Sequence, residues 1–123
     1  MNPIRYKASN SIDTRLAVYG SLAPGKSNHD QLSSLKGTWS PGAVTGRFLQ
    51  EGWAVDNGYL ALELDPNGST IEVHIFESAE LPSHWKRLDE FETQEYKRVV
   101  TEVHTDGGIV SAWIYVCSTS GLT

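Results

Sequence analysis

Apolar and polar positions along this chain alternate in short runs, and only one stretch carries a convincing helical stripe. Residues 1–14 are mostly polar and read as an N-terminal arm; residues 15–118 read as one folded domain and residues 119–123 as a tail. "LAVYG", ending at Gly20, reads as a short buried strand. After the loop that follows, "NHDQLSSL" has room for at most two turns of helix, with Asn28 as N-cap and Gln31 reaching back to it; Gly37 ends it. From "TWSPGAVTGRFLQ" onward, β-branched and aromatic residues are punctuated by Gly and Pro, as in strands. Leu60, Leu62 and Leu64 alternate with other residues, as do Ile71, Val73 and Ile75. Asp-Pro-Asn-Gly lies between the two runs and predicts a hairpin. "YKRVVTEVH" and "IVSAWIYV", joined by Asp106-Gly107-Gly108, predict a second. Between the hairpins, "SAELPSHWKRLDEFE" places Leu81, Trp85, Leu88 and Phe91 on one side of a helix. The expected class is α+β, mostly antiparallel β, with one main helix and one short helix.

One motif tests that architecture. Gly20, Gly25, Lys26 and Ser27 satisfy G-x-x-x-x-G-K-[ST], the phosphate-cradling P-loop. A nucleotide-binding P-loop lies between a strand of a parallel sheet and an amphipathic helix of several turns, whereas here the following helix is short and polar and the strands form hairpins. Asp65, at the end of "LALELD", is assigned to a turn by the Pro-Asn-Gly after it and not to a magnesium-binding strand end. The match is therefore read as accidental. The loop's backbone N–H groups remain able to hold a carboxylate or an oxyanion, and an ordinary strand-to-helix turn remains the competing reading.

Composition narrows the partners. The 123 residues are 39% hydrophobic and 20% charged, with a net charge of −5, which suits a globular domain and disfavours nucleic acid. No apolar run reaches the roughly 18–20 residues of a membrane span, and the first dozen residues lack a signal-peptide core, so a cytoplasmic location is expected. Cys117 is the only cysteine, which rules out an internal disulfide. The four histidines show no metal-site spacing, and no metal is expected.

Helix geometry singles out one carboxylate. At about 100° per residue, Glu92 falls about 40° from Leu88 and so points with the apolar stripe. Desolvation there would raise its pKa toward values useful for proton transfer. The alternative is a helix that ends at Phe91, with Glu92 paired to Arg98 or Lys97. Ser21 lacks the G-x-S-x-G elbow of a serine nucleophile, and Cys117 ends an apolar strand as a small core residue would.

"VYGSLAPGKSNH", "RLDEFETQEYKRVVTEV" and "VSAWIYV" occur in the order of the V-Y-G-[ST]-L, L-D-x-[FL]-E, Y-x-R and A-W-x-Y-V segments of the γ-glutamylcyclotransferase-like family, also called AIG2-like. The chain resembles that family from Leu16 to Val116. The resemblance implies a small antiparallel β-barrel with attached helices. It implies a loop at Tyr19, Gly20, Ser21 and Leu22 that holds a γ-glutamyl group, and Glu92 as general acid/base. Tyr115 is a further candidate for that pocket, or else a barrel tyrosine bonded to a nearby carbonyl. Two positions depart from the family pattern: Thr93 stands where many members have Gly, and Lys26-Ser27 occupy the loop.

The implied reaction is cyclisation of a γ-glutamyl amine or amide. The substrate's α-amine attacks its own γ-carbonyl, and 5-oxoproline and a free amine are released, with no cofactor required. The implied partner is this small molecule, without nucleic acid or membrane and with no particular oligomeric state. The competing reading is a barrel that binds γ-glutamyl groups without turning them over.

Overall fold

The computed structural model describes residues 12–20, 22, 24–26, 29–50, 55, 58, 60–92 and 96–117. Among the described residues, six strands and two α-helices follow in the order β1 (Arg15–Val18), α1 (Asp30–Ser33), β2 (Thr38–Phe48), β3 (Leu62–Leu64), β4 (Ser69–Glu77), α2 (Trp85–Glu92), β5 (Tyr96–Thr105) and β6 (Gly108–Cys117). Five of the strands close into a barrel in the order β2, β4, β1, β6, β5, and the pairing of Ala43 with His104 joins β5 back to β2. The expected barrel is present with one difference. β1 runs parallel to β6, with Leu16 opposite Trp113 and Ala17 opposite Ile114, while every other neighbouring pair is antiparallel.

Alternation along the strands separates two apolar cores. Ala17, Val44, Val73, Ile75, Val103, Ala112, Ile114 and Val116 face the barrel interior, where the small Ala17 and Ala112 suit its narrow bore. Leu16, Val18, Phe76 and Tyr115 face the other way and pack with Leu22, Leu32, Leu35, Leu81, Trp85 and Leu88 from the loop and helices. β1 is thus buried on both faces, which is why its sequence reads as a continuous apolar run.

The β5–β6 hairpin forms as expected, with register from Tyr96 opposite Cys117 to Thr105 opposite Gly108. The Asp65–Gly68 hairpin does not. β3 and β4 are both antiparallel to β2, lie on either side of it, and so run parallel to one another. Gly46 pairs with Leu64 on one side and with Ser69 on the other. The turn itself is the one the residues call for: the Asp65 carboxylate accepts from the Asn67 N–H at 2.9 Å, and the Asp65 carbonyl accepts from the Gly68 N–H at 2.9 Å. It carries the chain across β2, and a Cβ at Gly68 would run into the Gly46 backbone.

Two further differences concern the ends of elements. α1 is a single turn beginning at Asp30, its cap position is His29 with no side-chain capping bond, and Gln31 accepts a hydrogen bond from Arg87 instead of reaching back. The expected cap, Asn28, lies outside the described residues. The last three residues of the segment read as an arm, Ile12–Thr14, form a 3-10 turn bound to the domain. The Trp85 indole donates to the Asp13 carbonyl at 3.0 Å, the Trp113 indole to the Asp13 carboxylate at 2.9 Å, and the Ser78 N–H to the Thr14 carbonyl at 2.8 Å. Buried indole N–H groups need acceptors, and this turn supplies them. Among the described residues no helix is long and apolar enough to cross a membrane.

Candidate active site

Glu92 closes α2, on the side of the helix that Leu88 and Trp85 bury against the barrel. The helix runs through Glu92, and Arg98 pairs with Asp89, so the reading in which Glu92 is an ion-pair partner of Arg98 is replaced. Among the described residues the Glu92 carboxyl has no hydrogen-bond or ionic partner. Burial alone pushes its pKa up, from 4.5 to about 7. A carboxylate without a counter-ion at the end of an apolar stripe is the group that the helical spacing singled out.

Two tyrosines stand close enough to feel its charge. Tyr19 follows β1, and its hydroxyl donates to the Tyr115 carbonyl at 2.6 Å, while its ring lies 5.8 Å from that of Phe48. Burial, then Tyr96, raise the Tyr19 phenol pKa well above its usual value, and Glu92 adds to the effect. Tyr115, on β6, donates its hydroxyl to Asp89 Oδ1 at 2.7 Å. Burial, then that bond, raise its pKa, and Glu92 again contributes. The Tyr115 hydroxyl is thus held by a carboxylate and not by a nearby carbonyl, and its own carbonyl holds Tyr19.

The loop supplies backbone. Among the described residues a Cβ at Gly20 would meet no atom within 4 Å beyond its chain neighbours, and the left-handed glycines are Gly25, Gly58 and Gly108. Gly25, at φ 80°, meets the conformational demand of the loop, and Gly20 leaves open space beside the strand end. Leu22 is buried in the core, and its carbonyl lies 3.0 Å from His29 Nδ1, which ties the loop to the start of α1. Ser21, Ser27 and Thr93 lie outside the described residues. Lys26 is exposed, and its carbonyl accepts from the His29 N–H at 3.2 Å. A one-turn helix after the loop and a closed, mainly antiparallel barrel are not the surroundings of a P-loop.

The sequence reading passed over a cluster beside this site. Arg98 grips Asp89 through Nε at 2.8 Å and Nη2 at 3.1 Å, and its guanidinium carbon lies 4.3 Å from the Trp85 ring centre and 4.4 Å from that of Trp113. The signal was present as the Asp of "LDEFE" and the Arg of "YKR", but their pairing spans the junction of helix and strand.

A small barrel with a half-buried, partly desolvated acid beside two tyrosines and a glycine loop defines the class of protein. The chain matches the family described as gamma-glutamyl cyclotransferase, AIG2-like, over residues 16–122 and belongs to that family. It is similar in structure to YkqA from Bacillus subtilis, with a TM-score of 0.65 and 27% identity over 85% of this chain, and it spans 35% of YkqA's length. An AIG2-like protein from Mus musculus gives a TM-score of 0.68 at 21% identity, with 88% of this chain and 79% of the mouse chain covered. Allophanate hydrolase from Kluyveromyces lactis shares the fold, with a TM-score of 0.61 and 18% identity over 89% of this chain but 18% of the larger enzyme. No curated protein matches the chain.

Proposed function

We propose that the protein is a γ-glutamyl cyclotransferase that acts on a γ-glutamyl amine or amide. The observation that carries this reading is the half-buried Glu92 carboxyl, which has no partner among the described residues and whose pKa is pushed to about 7 by desolvation beside Tyr19 and Tyr115. A carboxyl poised near neutrality exchanges protons in both directions, as one group must do in this reaction. In the carboxylate form Glu92 takes a proton from the α-ammonium of the substrate. The freed lone pair closes on the γ-carbonyl carbon to form a five-membered ring. The protonated carboxyl then gives its proton to the amide nitrogen as the C–N bond breaks. The second proton shed by the ring nitrogen leaves with the released amine, which departs as an ammonium ion, and the carboxylate is restored.

Folding the substrate into this geometry contributes several kcal/mol, on the order of the 7–11 available to well-oriented intramolecular reactions. The open space at Gly20 lets a γ-glutamyl group approach the loop backbone, whose N–H groups would face the developing oxyanion. The test is 5-oxoproline release from a panel of γ-glutamyl amines, with a melting curve for each protein. Glu92→Gln keeps the shape and cannot exchange protons, so turnover falls by roughly 10²–10⁴ while the fold survives. A fully active variant removes Glu92 from the reaction, and a wild type that turns over none of the amines leaves a binding barrel instead.

A further inference from the structure

Asp89 lies three residues before Glu92 on the last turn of α2, and its carboxylate takes three hydrogen bonds from two different strands. Arg98 of β5 supplies two through Nε and Nη2, and Tyr115 of β6 supplies the third, at 2.7 Å. The Arg98 guanidinium is itself held between the Trp85 and Trp113 rings, and both indoles are anchored to Asp13. The same Tyr115 accepts the Tyr19 hydroxyl on its carbonyl. One carboxylate thus joins the helix that carries Glu92 to β5 and to β6, the strand that carries Tyr115. An exposed ion pair contributes little to stability, typically about 0–1 kcal/mol, so this clamp is better explained by where it stands than by strength.

We propose that Asp89 is a positioning residue for Glu92: with Arg98 it fixes the last helical turn against the barrel and keeps the charge beside that carboxyl balanced. Residues three apart on a helix have Cβ atoms about 5–6 Å apart, so an unpaired Asp89 would repel the Glu92 carboxylate, and an unpaired Arg98 would attract it. With the fork closed neither charge acts on Glu92, and burial is the one cause that does. Tyr19, just after β1, and Tyr115 from β6 face the same carboxyl as neutral phenols, Tyr96 from β5 and Cys117 from β6 act on Tyr19, and Arg98 is the charged group that β5 brings to the clamp, with Asp13 from the turn before β1 acting on it.

The inference rests on the reading of Glu92 as the proton-transfer group, yet it is tested on the free protein. The Glu92 side-chain carbon is titrated by ¹³C NMR in the full chain, with Glu92→Gln identifying the resonance. Asp89→Asn removes the larger part of the compensation of Arg98, the Asp13 charge remaining, and lowers the Glu92 midpoint by about one pH unit, and Arg98→Gln leaves Asp89 uncompensated and raises it by about as much. A merely structural clamp would admit water in both variants and move both midpoints down, toward 4.5. Arg87→Ala, which cuts the bonds of the same helix to Gln31 on its other side, leaves the midpoint in place. If Arg98→Gln does not fold, Arg98→Lys opens the fork and raises the midpoint by less. Midpoints that stay fixed, or fall in both variants, overturn the proposal even where the wild type releases 5-oxoproline. Opposite shifts in a protein that turns over no γ-glutamyl amine uphold the clamp and overturn the proposed activity.

Discussion

At the scale of a single residue, Glu92 ties the stability of the fold to pH. Its pKa is about 7 when folded and 4.5 when exposed, so the folded state holds the proton more tightly. Below pH 4.5 both states carry the proton and the residue costs nothing extra. Between 4.5 and 7 the unfolded chain releases it first, and stability falls as pH rises. Above about 7 the full penalty is present, with an upper bound of about 3 kcal/mol. Glu92→Gln has no proton to lose, so its melting temperature rises relative to wild type as pH goes from 4.5 to 8. The check is a pair of melting curves at several pH values, and a constant gap across that range would mean that the carboxyl is solvated. The position of Glu92 on the apolar stripe was legible from the 100° spacing alone. Its company was not, because Tyr19 is brought beside it by barrel closure and Asp89 is neutralised by a strand residue nine positions later.

At the scale of the element, the Asp65–Gly68 turn shows what turn chemistry specifies. Asp-Pro-Asn-Gly dictates a local reversal with an Asp side chain capping it, and that reversal forms. Nothing in those four residues says which strand lies alongside, and β2 takes the place between β3 and β4 that a hairpin would close. The trace left in the sequence is a pair of distant glycines, Gly46 and Gly68, which meet where the chain crosses. A Cβ at Gly68 would strike the Gly46 carbonyl, and one at Gly46 would strike the Glu63 carbonyl, both of them backbone atoms that cannot swing aside. Gly68→Ala should therefore destabilise the fold by about 1–3 kcal/mol, as overpacking does. Gly107→Ala on the β5–β6 turn, where the nearest atom is Thr105 Oγ1 at 3.9 Å, should cost well under 1 kcal/mol on the same scale. Urea midpoints of the two variants decide the matter, and equal costs would mean that the two glycines do not meet in solution.

At the scale of the whole molecule, the fold decides what the letter-perfect phosphate motif means. Periodicity and turn residues were enough to read a mainly antiparallel protein. The parallel β1–β6 contact was not legible, because "LAVYG" is apolar on both faces and carries no register. That contact joins two strands, yet it does not make a P-loop site: β1 pairs antiparallel with β4 on its other side, and the helix after the loop is one turn long. Gly25 is left-handed because the loop must turn, and Lys26 is exposed with its carbonyl turned to His29. Magnesium nucleotides should therefore leave the melting temperature unchanged. A nucleotide at 100 times its dissociation constant would add about 2.7 kcal/mol, a rise of several degrees for a domain of this size. Lys26→Ala completes the test. A phosphate-gripping lysine would be indispensable, whereas here the substitution should leave turnover of a γ-glutamyl amine within a factor of about two, far from the roughly 10²–10³ lost with an oxyanion donor. A nucleotide-dependent rise in melting temperature that Lys26→Ala abolishes would restore the phosphate reading of the loop.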